Sequence, residues 1–102
     1  MSKSVETVSF KLTAGSDVSA FVAASDKVTD WARKQPGFLS RELAQLEDDS
    51  WLDIAYWTST EAAKKAGETF MSELGDSAFM AMIDPASVKM TYGELHLSTQ
   101  SG

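Results

Sequence analysis

Cysteine is missing from all 102 residues, which excludes disulfides, thiolate metal sites and a thiol nucleophile. Asparagine is missing too, and histidine occurs once, as His96. Positive charge is scarce: nine Lys and Arg stand against fifteen Asp and Glu, for a net charge of −6. That balance opposes a phosphate backbone, whose binding depends on Lys and Arg, and equally an anionic membrane surface. No nucleic-acid or membrane partner is therefore expected. No apolar run reaches membrane-spanning length, and the opening "MSKSVETVSF" lacks the apolar centre of a signal peptide, so the expected location is the cytoplasm. A Gly-rich phosphate loop, a nucleophile elbow, paired metal ligands and internal repeats are also absent. Neither a metal nor a cofactor is expected.

What remains is ordinary globular material, 43% hydrophobic and 24% charged. The length suits one domain, which buries roughly two-thirds of its unfolded surface. Residues 1–97 read as that domain, and "STQSG" (98–102), small and polar, as a disordered tail.

"VETVSFKL" alternates, with Val8, Phe10 and Leu12 on one side of a strand and Thr7, Ser9 and Lys11 on the other. Ser16 or Asp17 then caps a helix. Its apolar stripe comprises Val18, Phe21, Val22, Val28, Trp31 and Ala32. The helix runs to about Gln35, because Pro36 disfavours helical geometry at the residue before it. "FLSRELAQL" and "WLDIAYWT" follow as two strands joined by "EDDS", a connection of hairpin length. A simple hairpin sets Leu46 opposite Trp51 and Ser40 opposite Trp57. One face then carries Leu39, Arg41, Leu43, Leu52, Ile54 and Tyr56, and the other Phe38, Ser40, Ala44, Trp51, Asp53, Ala55 and Trp57. A slip of one residue would exchange these partners.

"TSTEAAKKAGETFMSELG" predicts a second helix, with Thr58 and Glu61 at capping-box spacing and Gly75 at its end. Ala62, Ala66, Phe70 and Leu74 share one side. "DSAFMAMID" predicts a short extra turn, and "SVKMTYGELHL" the last strand. The order strand, helix, strand, strand, helix, strand predicts an α+β, ferredoxin-like βαββαβ fold: a four-stranded antiparallel sheet with both helices on one face. The hairpin is apolar on both sides, so the uncovered face calls for a partner, and a homodimer is expected.

The stretches "QPGFLSREL" and "DIAYWTSTEAA" resemble the dimeric α/β-barrel superfamily, and within it the antibiotic biosynthesis monooxygenase (ABM) group, over residues 4 to 97. The resemblance implies a dimer with a cleft between sheet and helices in each subunit. It points to three kinds of protein: cofactor-independent oxygenases of polycyclic aromatics, haem-degrading oxygenases, and proteins without known activity. The haem-degrading pattern requires an Asn on the first strand, a Trp ending the third and an axial His on the following helix. Trp57 meets the second requirement. The first fails because the chain has no Asn, and the third because "EAAKKAGETFMSEL" has no His. Met71 is a conceivable axial donor, but in a different site.

The candidate site residues each have two readings. Trp57 either plugs the joint between sheet and helix or walls a cleft where a flat ring stacks. Trp31, Phe38 and Tyr92 join it as cleft-shaping aromatics around a small, flat, apolar ligand of polycyclic aromatic or quinol type. Asp53, among aromatics, must be paired or have its pKa raised. It is either the general base that removes a phenolic proton, or a salt-bridge partner or a group exposed near the sheet edge. Arg41, on the opposite predicted face with Tyr56, is expected in a dimer-interface ion pair with Glu42 or Glu94. His96 is expected at a surface or interface, and Met71, Met80, Met82 and Met90 as adaptable core or cleft lining. Three functions fit: a cofactor-independent monooxygenase, a non-catalytic ligand-binding or assembly module, and an isomerase or decarboxylase of the same fold.

Overall fold

The computed structural model describes residues 3–101. Four strands form one antiparallel sheet in the order β2-β3-β1-β4. They are β1 (Ser4–Phe10), β2 (Phe38–Gln45), β3 (Trp51–Trp57) and β4 (Lys89–Glu94). The helices are α1 (Val18–Arg33), α2 (Thr60–Leu74) and a single turn, α3 (Ala78–Ala81), before a 3-10 turn at Pro85–Ser87. This is the ferredoxin-like arrangement, with the helices over one face. The assignment of a tail at 98–102 ends on Gly102, outside the described residues, while residues 98–101 carry no regular structure.

Local chemistry accounts for the element ends. Asp17 caps α1 by accepting from the Ala20 amide at 3.3 Å. Ser59 caps α2, accepting from the Ala62 amide at 3.1 Å. The cap lies one residue beyond the expected Thr58, whose amide instead donates to the Gly37 carbonyl at 2.8 Å. Gly37 has φ +84°, and a Cβ there would lie 2.6 Å from Thr58 Oγ1 and 2.8 Å from Ala62 Cβ. "QPGF" and "WTSTEAA" therefore meet in space, and only glycine permits that approach. Beside them, buried Ser4 donates to the Gly93 carbonyl and accepts from Thr60 Oγ1, tying the start of α2 to β1 and β4.

The hairpin departs from the expected register. Leu46 belongs to the turn: its amide bonds the Ser50 carbonyl, and Asp49 takes φ 67°. The connection is residues 46–50, so Gln45, not Leu46, faces Trp51, and Arg41 faces Ala55. Because side chains alternate, one extra turn residue turns β2 over. Arg41 and Leu43 move to the helix-covered face with Asp53, and Ser40 and Ala44 to the open one. A bulge between Phe38 and Ser40 restores Phe38 to the face expected for it and sets it, rather than Ser40, opposite Trp57.

Two apolar clusters fill the covered face. The first holds Phe10, Phe21, Val28, Trp51, Phe79 and Ile83. Phe21, fully buried, stacks on Phe79 at 4.7 Å and meets Trp51 edge-on at 4.9 Å. The second centres on Trp57, Ala63 and Ala66. Two residues of the α1 stripe, Val18 and Val22, are exposed. Ser25 and Ala32 are buried with Phe21 and Val28, so the stripe is displaced around the helix toward a polar group. The open face carries Val5, Leu52, Ile54 and Tyr56, all partly buried, beside Thr7 and Thr91.

Candidate functional site

Between the sheet and the helices lies a cavity of about 690 Å³, inside the usual range for small-molecule sites, about 300–1,000 Å³. Trp57, Trp31, Phe38, Tyr92 and Asp53, the five residues singled out in the sequence, all line it. Trp57 is buried at the end of β3 and meets Phe38 edge-on at 5.4 Å. Trp31, on α1, packs edge-on against Phe70 of α2 at 5.3 Å and donates Nε1–H to Glu73 Oε2 at 2.7 Å. Tyr92 stands on β4, with the Lys64 ammonium 5.6 Å over its ring. Met71 and Met90, both exposed, form part of the lining, as does Met80, and Met82 packs in the first cluster.

Asp53 is one half of an ion pair. Arg41 grips it with two nitrogens: Nη2 donates to Oδ2 at 2.8 Å, and Nε donates to Oδ1 at 3.0 Å. The remaining terminal nitrogen, Nη1, donates to Ser25 Oγ at 2.7 Å and Thr29 Oγ1 at 2.9 Å. The Arg41 side chain is 7% exposed and that of Asp53 17%. The pair thus bolts β2 and β3 to α1 through a charge-assisted, bidentate fork. The expected interface pairing of Arg41 with Glu42 or Glu94 is corrected: the turned-over β2 aims it inward. His96 lies beyond the end of β4 and is exposed.

The carboxyl group that the sequence reading passed over is Glu6. It lies on the inward face of β1, two residues before Val8, and lines the cavity. Trp57 Nε1–H donates to its Oε1 at 3.0 Å. That is the one hydrogen bond the Glu6 side chain makes among the described residues. No buried side-chain oxygen or nitrogen among them lacks a partner, so the second oxygen of Glu6 is open to the cavity. Burial pushes the Glu6 pKa above its ordinary value; the Trp57 hydrogen bond opposes this, and the charge of Asp53 adds to it. Burial, and then the charge of Glu6, raises the Tyr92 hydroxyl in turn. Period-two alternation was the available signal, since positions 4, 6, 8 and 10 share one face. Among the described residues no cluster of three metal-ligating side chains occurs, and no helix is long and apolar enough to cross a membrane.

No family model matches the sequence, and no curated protein matches it. Solved structures match closely in shape. SnoaB of Streptomyces nogalater, a cofactor-independent oxygenase seen as its N63A mutant, shares 18% identity at a TM-score of 0.69, covering 98% of this chain and 97% of that one. The ActVA-Orf6 monooxygenase of Streptomyces coelicolor, solved with nanaomycin D, shares 20% identity at a TM-score of 0.75, covering 99% and 94%. A dimeric ferredoxin-like protein from an uncultured marine organism shares 10% identity at 0.71, covering 100% and 95%. The chain shares the ferredoxin-like fold of these structures.

Proposed function

We propose that this protein is a homodimeric, ABM-like enzyme that binds a small, flat aromatic in its cavity and oxygenates it without metal or flavin. The cavity carries this reading: aromatic walls from β2, β3, β4 and α1 surround a space of about 690 Å³ into which the sheet presents a carboxyl group, Glu6, bonded at one oxygen only. The likeness to SnoaB and ActVA-Orf6 supports it. In such a reaction the ligand is its own reductant. An anthrone-type CH₂ loses a proton, the carbanion gives its electrons to dioxygen, and the products are C=O and water, one oxygen atom in each. The chain's part is to exclude water, hold the ring against Trp57 and Trp31, and move the proton. The homodimer is supported by the half-covered apolar residues Val5, Leu52, Ile54 and Tyr56 on the open face and by the dimeric neighbour.

Native mass spectrometry with added anthrone is expected to show two subunits, each with one ligand, and an oxygen electrode is expected to record uptake. Binding without uptake would make the protein a ligand carrier. Product formation without uptake would indicate an isomerase or decarboxylase. A monomer that binds nothing would end the proposal.

A further inference from the structure

We infer that Glu6, held by Trp57 at one oxygen and open to the cavity at the other, accepts the proton of a bound aromatic hydroxyl, so that the ligand class is a neutral phenol or enol. This deepens the ligand-binding reading above and rests on it. Three carboxylates line the cavity: Glu68 is exposed on α2, and the two on the sheet, Asp53 and Glu6, differ in what they have left to offer. Both oxygens of Asp53 are taken by Arg41, and Arg41 is held by Ser25 and Thr29. Asp53 cannot accept a proton without surrendering its counter-charge. Glu6 can, because only Oε1 is engaged.

The groups facing the cavity favour a neutral hydroxyl over an anion. Asp53 comes from β3, Arg41 from β2, Tyr92 from β4, and Lys64 and Glu68 from α2, while α1 contributes Val28, Trp31 and Ala32 and no titratable group. Arg41 is committed to Asp53. Lys64 is exposed and lies over the Tyr92 ring, at the rim. An anionic ligand would meet the charge of Glu6 with no inner cation to offset it. In the step itself the ligand O–H bond breaks and its electron pair stays on the ligand oxygen. The proton bonds to the free oxygen of Glu6, while Trp57 continues to donate to Oε1. Burial strengthens the hold of Glu6 on that proton, narrowing its gap to a phenol.

The test compares 1-naphthol with 1-methoxynaphthalene, in which a methyl group replaces the donor proton on the same ring system, by quenching of tryptophan fluorescence. At neutral pH the wild type is expected to favour the naphthol about tenfold, the scale of a charge-assisted hydrogen bond. Glu6→Gln should lose that preference while still binding both compounds. In the unaltered protein the preference should fall as acid protonates Glu6, which tests the idea without any variant. Equal binding of the two probes by the wild type, or a preference that survives in Glu6→Gln or is flat with pH, would overturn the inference and leave the cavity reading intact. If neither probe binds, the cavity reading fails with it.

Discussion

Asp53 and Glu6 stand as diagonal neighbours on the covered face of the sheet, since Val8 pairs with Asp53 and Glu6 with Ala55, yet their surroundings treat them in opposite ways. At the Asp53 end, a guanidinium saturates both oxygens and two hydroxyls of α1 saturate the guanidinium. At the Glu6 end, one indole N–H meets one oxygen and the other faces open space. The first arrangement locks three elements together. The second leaves a carboxyl group unfinished beside aromatic walls, as a ligand site requires. A buried charge is structural when its partners use up its bonding capacity, and available for chemistry when they do not.

The strongest way to break this comparison is Arg41→Ala. Asp53 would then stay buried without a counter-charge, and about 3–5 kcal/mol of stability should be lost, read by urea denaturation at neutral pH. Replacing the pair together, Arg41→Met with Asp53→Leu, should recover most of that loss, because no uncompensated charge remains. A loss below about 1 kcal/mol for the single variant would mean that the pair is not the bolt described here.

Next in size is Trp57→Phe. It removes the hydrogen bond to the Glu6 side chain and part of a buried ring, for an expected cost of about 2 kcal/mol. The Glu6 pKa should climb further, since the interaction holding it down is gone. A carboxyl-carbon NMR titration that found it unmoved or lower would contradict the assigned contact.

The smallest effect sharpens the contrast through pH. Burial holds the folded-state pKa of Glu6 above the ordinary value of a free glutamate, so the folded chain holds this proton more tightly than the unfolded one. The contribution of Glu6 to stability is fully present below that ordinary value and is lost as pH rises through the raised one. Glu6→Gln removes the dependence. The variant should therefore gain on the wild type with rising pH across this window and keep a constant difference above it. Denaturation midpoints of the two proteins, compared over about pH 4 to 8, give the sign directly.

Much of this could be read from the chain. Alternation in "VETVSF" and "WLDIAYW" marked β1 and β3, and the strand-helix order led to the ferredoxin-like fold. Trp31, Phe38, Trp57 and Tyr92 were already grouped before the cavity showed them together. Two things were missed, for different reasons. The turn between β2 and β3 takes in Leu46 because Asp49 adopts a left-handed conformation, and nothing in "QLEDDSW" distinguishes four turn residues from five. That single residue decides whether Arg41 points at a partner or at Asp53. Glu6 was overlooked because a carboxylate in an alternating strand ordinarily belongs to the wet side. Here β1 is a central strand under α2, and Trp57 supplies the donor that lets a carboxyl group lie inside.

Local periodicity and capping, which depend on neighbours a few residues apart, were enough to determine the elements, their order and the aromatic content of the covered face. Register across the hairpin, and with it the pairing of every charge on that face, depended on how the strands align after the turn closes. Only the tertiary structure decided that, because a one-residue shift costs the local sequence almost nothing and reverses which side of the sheet each residue of β2 occupies.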